Sequence, residues 1–164
     1  MTRFWVGGYG SDMGGDAAGI GLLAGDEARP QTTLAYRGAV APTASPSWLA
    51  AHPRLDVVYA ALEGAGRVAA FARTGEGTLA PLGTSVPAGE TVCHLAVASS
   101  GAYLIASCYG DGRVVRIGLA ADGSLVPDVE DRAAALRAQL FGDGSATPPE
   151  EVRTAGAAAP ASDP

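Results

Sequence analysis

The sequence predicts an all-β fold made of a repeated antiparallel unit, and three observations predict it. First, a gap-free internal repeat has a period of 46 residues, the step from Leu49 to Leu95. Over that step Val58 falls on Leu104, Ala60 on Ala106, Arg67 on Arg113 and Leu79 on Leu125. Second, each repeat contains four short β-rich runs. Third, glycines punctuate those runs at the same places, with Gly64, Gly66 and Gly77 falling on Gly110, Gly112 and Gly123. A period in the forties with four strands per unit specifies propeller blades. A closed ring needs roughly four to eight blades. This chain holds fewer than three, so the expected fold is a partial β-propeller of about two and a half four-stranded antiparallel blades.

The expected blades lie at about 1–46, 47–92 and 93–130. In the second, Trp48-Leu49-Ala50-Ala51 is the inner strand and Val57 to Leu62 the next. Arg67 to Phe71 is the third, and Leu79 to Val86 the outer strand, where Pro81 suits an edge. The third blade repeats this with Cys93 to Ala98, Tyr103 to Cys108, Val114 to Leu119 and a start at Leu125. Residues 1–46 read as a partial blade. Phe4 to Tyr9 resembles a second strand, Gly19 to Leu23 a third and Thr32 to Val40 an outer one, with a longer glycine-rich connection from Gly10 to Ala18. The pattern stops near Glu130. Asp131 to Leu140 has helix-forming composition with Asp131 as a possible N-cap. The rest, to Pro164, is expected to be disordered because it lacks the apolar residues to offset its ordering entropy.

Composition narrows the function classes. The net charge is −6 and every basic residue is arginine, scattered along the chain. Nothing in that pattern is an electrostatic footprint for nucleic acid or for a membrane surface. No apolar run reaches transmembrane length, and glycines interrupt the N-terminal apolar run too early for a signal peptide. The expectation is therefore a cytoplasmic protein whose two cysteines stay reduced.

Propeller topology brings inner-strand starts, second-strand ends and third-strand starts to one face. Ser47-Trp48, Cys93-His94, Glu63, Cys108-Tyr109, Arg67 and Arg113 converge there. His94 is a candidate general acid or base, or else a hydrogen-bonded structural histidine. Glu63 is a sugar-hydroxyl contact or a solvated turn carboxylate. Tyr109 offers a stacking face or simply packs at a blade edge. Arg67 and Arg113 match a phosphate, yet their equivalence in two repeats favours a shared structural role. His52, in the opposite turn, carries no expected chemistry. With a turn centred on Ser100-Gly101, Cys93 and Cys108 face each other on paired strands. Two thiols and one histidine are fewer ligands than a zinc site needs, so they read as buried free thiols and no metal is expected. No phosphate-cradling loop, dinucleotide fingerprint or nucleophile elbow occurs, so no cofactor is implied.

The ordered set of short motifs resembles the seven-bladed β-propeller lactonases, which include the propeller type of 6-phosphogluconolactonase. Phe4-Trp5-Val6-Gly7-Gly8-Tyr9 is similar to that family's opening strand, and Pro46-Ser47-Trp48-Leu49-Ala50 to its Pro-Ser-Tyr/Phe-Leu segment. Val58-Tyr59-Ala60-Ala61-Leu62-Glu63 resembles its Leu-Tyr-Ala-Val-Asn-Glu strand. His94-Leu95-Ala96-Val97, then Ala106-Ser107-Cys108-Tyr109-Gly110, resembles Pro-x-His-Leu followed by Ala-Asn-Tyr, with Cys108 in place of the usual Asn. Asp122-Gly123-Ser124-Leu125 matches its turn. Together these cover residues 3 to about 130.

The resemblance implies hydrolysis of a sugar lactone such as 6-phosphogluconolactone. His94 would act as base and Arg113 as oxyanion or phosphate partner, with Glu63, Tyr109 and Trp48 as substrate contacts. The family also includes cyclases of muconate-like acids. It continues for roughly twice this length, and the tail from Asp131 reads as unrelated sequence, suggesting a shifted frame. The alternative expectation is a truncated or split, non-catalytic fragment that self-associates or pairs with a complementary propeller half.

Overall fold

In the computed structural model, residues 2–26 and 34–128 are described, and the expected tail helix lies outside them. Three antiparallel sheets follow one another. The first contains β1 (Thr2–Val6), β2 (Gly19–Gly25) and β3 (Ala35–Pro42) in that order. The second runs β4 (Pro46–Ala51), β5 (Val57–Leu62), β6 (Arg67–Gly75) and β7 (Thr78–Pro81), with β8 (Val86–Pro87) also on β6. The third runs β9 (Val92–Val97), β10 (Tyr103–Cys108), β11 (Val114–Leu119) and β12 (Leu125–Val126). Each chain segment returns beside the one before it, which is the blade pattern the repeat predicts.

Side-chain alternation explains how the blades stack. All six residues of β5 are buried, because this strand is covered on both faces. Val58, Ala60 and Leu62 join Ile20 and Ala41 against the first blade. Tyr59 and Ala61 point the other way and join Val92, Leu95 and Leu104 against the third. Period-two geometry sends neighbours to opposite faces, so one strand serves two interfaces. Alanines at the centre keep the sheets close, while Leu104, Val68 and Ile20, all fully buried, supply most of the burial energy, about 1.5–3 kcal/mol each.

Two expectations are corrected. The outer strand of the second blade is not continuous from Leu79 to Val86. It is split into β7, paired at Arg73↔Leu79 to Phe71↔Pro81, and β8, paired at Val68↔Val86 and Arg67↔Pro87. Gly83 between them has φ +68°, and proline at 81 cannot donate to a ladder. Cys93 does not face Cys108 either. A bulge shifts the register so that Ser107 pairs with His94 and Cys108 with Val92. Cys108 is buried and Cys93 only half-buried.

Candidate functional site

The starts of β4 and β9, the ends of β5 and β10, and the starts of β6 and β11 lie at one end of the stacked blades. The inner strands begin with the same irregularity. In β4 the register shifts between Pro46↔Leu62 and Trp48↔Ala61, leaving Ser47 as the extra residue. In β9 Cys93 is the extra residue, one period later. A bulge kinks its strand and re-aims the next side chain. Here it aims Trp48 and His94, which meet with ring centroids 4.4 Å apart and planes tilted by 50°. Trp48 also donates its indole N–H to the Leu95 carbonyl at 3.1 Å, so the ring is pinned at both ends. His94 is exposed, and Trp48 is 41 % exposed.

An open cleft of about 1150 Å3 at this end includes Asp12, Glu63, Glu90, Asp111 and Arg113 in its lining, but neither Trp48 nor His94. Glu63 is buried at 7 % exposure and accepts a hydrogen bond from the Tyr9 hydroxyl at 3.3 Å. The Glu63 charge, with desolvation and that hydrogen bond, raises the Tyr9 phenol above its ordinary value. Asp12 accepts from the Ser45 hydroxyl at 2.7 Å. Asp111 accepts from the backbone N–H of Glu90 and of Arg113, each at 3.1 Å. The Glu90 bond first, then that of Arg113 and the Arg113 charge, hold its carboxyl below the usual range against partial desolvation.

The candidates therefore sort into groups. Glu63 and Arg113 share the cleft, while Trp48 and His94 form a separate stack outside its lining. Tyr109 donates its backbone N–H to the Thr91 carbonyl, but its side chain is 82 % exposed, and the cleft lining does not include it. The two arginines have different partners despite their equivalence. Arg67 is committed to Ser85, through Nε to the hydroxyl at 2.8 Å and through Nη2 to the carbonyl. Arg113 is exposed and its Nε lies 3.3 Å from Asp111. Cys108 behaves as an apolar side chain, since burial, and then the Asp111 charge, push its thiol up. Among the described residues no group of three or more His, Cys, Asp or Glu is arranged to hold a metal ion.

Outside the cleft, His52 has a structural setting. Its Nδ1 accepts from the N–H of Arg54 at 3.1 Å and of Leu55 at 2.8 Å, and Nε2 lies 3.3 Å from the Gly101 carbonyl. Nδ1 is thus the acceptor nitrogen, so Nε2 donates to Gly101.

Three residues escaped the sequence reading: Tyr9, Asp12 and Ser45. The first two belong to the connection after β1, whose unusual length was their signal. Ser45 is fully buried, accepts the Gly10 N–H at 2.9 Å and is one period from Thr91. That spacing was its signal.

Among curated proteins none matches the chain. Solved structures do. One assigned as a 6-phosphogluconolactonase from Bacteroides fragilis is 25% identical, with a TM-score of 0.65 over 76% of this chain and 34% of that one. A second so assigned, from Bacteroides uniformis, is 25% identical with a TM-score of 0.64, covering 76% and 35%. The periplasmic gluconolactonase of Pseudomonas aeruginosa shares the fold at 24% identity and a TM-score of 0.64, covering 77% and 37%. The chain thus spans about a third of each of these proteins. Among the described residues no helix is long and apolar enough to cross a membrane. The family model described as lactonase, 7-bladed β-propeller matches residues 3–137, and the chain belongs to that family.

Proposed function

We propose that this chain forms the N-terminal part of a site that hydrolyses a sugar lactone, with 6-phosphogluconolactone the leading substrate. The observation that carries the reading is the convergence of buried Glu63, Arg113 and the Trp48–His94 stack at one end of the blades. Lactone opening adds water across the ester bond. The water loses a proton to a base, its oxygen bonds to the carbonyl carbon, and the ring oxygen leaves as a hydroxyl. His94 is the base in this reading, exposed and held in orientation by Trp48. Arg113 faces the oxyanion or a phosphate, in competition with Asp111. Glu63, Tyr109 and Trp48 contact the sugar. A cytoplasmic location belongs to the same reading and is supported by the glycines that interrupt the N-terminal apolar run; cell fractionation decides it.

Hydrolysis of 6-phosphogluconolactone, followed against its spontaneous rate, tests the reading. The expected result is acceleration that His94→Gln reduces about 100-fold and Glu63→Gln reduces chiefly through KM. No acceleration above the spontaneous rate would overturn it. A second reading is favoured by the apolar side chains on the outer faces of the terminal blades, Phe4 and Tyr36 on one and Val114 on the other. On that reading the chain is a non-catalytic fragment that associates with itself or with a complementary propeller half. Oligomers without hydrolysis would support it.

A further inference from the structure

Two residues other than glycine have a left-handed backbone among the described residues, Ser45 at φ 33° and Thr91 at φ 54°. They are one repeat apart. Such a backbone is costly for any residue with a Cβ, and most for a β-branched one. It persists only where its surroundings impose it. The surroundings repeat as well. The Ser45 carbonyl accepts the Glu63 N–H at 3.2 Å, and the Thr91 carbonyl accepts the Tyr109 N–H at 2.9 Å. Two residues after each comes the bulge at Ser47 or Cys93, and then Trp48 or His94. A glycine follows each held residue where a Cβ would collide: Gly64, 2.6 Å from Asp12 Oδ2, and Gly110, 2.8 Å from the Glu90 side chain.

We propose that Ser45 and Thr91 are positioning residues for this end of the blades, each fixing two side chains through its left-handed backbone. Ser45 holds Trp48 and Glu63 in register, and Thr91 holds His94 and Tyr109. Rotation of either residue to an ordinary φ would turn its carbonyl away from the N–H it binds and release the bulge. Ser45 has an added task. Its hydroxyl accepts from the Gly10 N–H and donates to Asp12, which ties the connection after β1 over the cleft and sets Tyr9 against Glu63. The functional sense of these contacts rests on the lactonase reading, but their geometry does not.

The test needs no substrate, so failure of hydrolysis leaves it standing. The 164-residue chain carrying Trp5→Phe has Trp48 as its sole tryptophan. On acidification, a charged imidazole touching the indole quenches its fluorescence, and His94→Gln identifies that component. Thr91→Pro, whose ring locks φ near −65°, forbids the left-handed backbone and should at least halve the His94-dependent quench while the protein still melts cooperatively. Thr91→Asn, which tolerates the left-handed basin, should retain the quench. An unchanged quench in Thr91→Pro, or its loss in Thr91→Asn, would overturn the assignment for Thr91. Ser45→Ala keeps a Cβ and removes only the hydroxyl. Its expected signature is one tyrosine ionising at lower pH in an alkaline absorbance titration, as Tyr9 leaves Glu63. A tyrosine titration superimposable on the parent's would overturn the tethering role of Ser45.

Discussion

Tyr59 combines a large buried ring with one polar atom, and its hydroxyl donates to the Gly123 carbonyl across the second and third blades at 2.8 Å. Desolvation first, and the Asp122 charge second, push its phenol up to about 12. The unfolded chain releases that proton near its ordinary value of 10.0. Folding therefore favours the protonated form, and the stability this contributes is full below pH 10 and falls as pH rises towards about 12. Tyr59→Phe should cost about 1–2 kcal/mol at neutral pH, because it leaves the Gly123 carbonyl unpaired. It should also flatten the loss of stability above pH 10; urea unfolding at pH 7 and pH 10.5 measures both. At this scale the sequence was partly legible. Trp48, His94 and Glu63 could be placed at one end because strand direction alone fixes that. The partnership of Tyr9 with Glu63 could not, since it depends on the path of a connection without periodicity. The left-handed backbone of Ser45 and Thr91 was hidden too, because neither residue type advertises it as glycine does.

At the scale of elements, the split between β7 and β8 gives Arg67 its role. Its guanidinium spans the gap by gripping Ser85, so the outer edge stays attached to β6 where the ladder is interrupted. Arg67→Ala should lower stability by about 1–2 kcal/mol and increase hydrogen exchange at Val86. Arg113→Ala, at the equivalent place, removes only an exposed ion pair and should change stability little. Urea denaturation of the two variants side by side measures the difference. The repeat made the strands predictable but pointed to a shared role for the arginines, since what each one reaches depends on the neighbouring turn. The bulge was equally invisible. Turn geometry alone set Cys93 against Cys108, and one extra residue displaced that pairing.

The whole molecule is a stack with two ends. Phe4 and Tyr36 are 50 % and 58 % exposed on the first blade, and Val114 is 70 % exposed on the third. A complete ring would cover such faces with further blades. In isolation they should drive concentration-dependent association, visible by sedimentation velocity. Val114→Glu should shift that equilibrium several-fold towards monomer without changing the far-ultraviolet circular dichroism. Fold class was the most legible property of all, because periodicity is carried by many residues at once, whereas the site depends on single side chains.

That periodicity also separates what a blade must keep from what it is free to change. Ala60 and Ala106 are identical across the repeat and fully buried. Ser47 and Cys93, Trp48 and His94, and Glu63 and Tyr109 occupy equivalent places yet differ completely in chemistry. A single codon change at one of these equivalent positions alters the side-chain chemistry at that end while the alanines of the interior stay the same. A lineage with this architecture can therefore explore new ligands one blade at a time, while inheritance of the scaffold stays conservative.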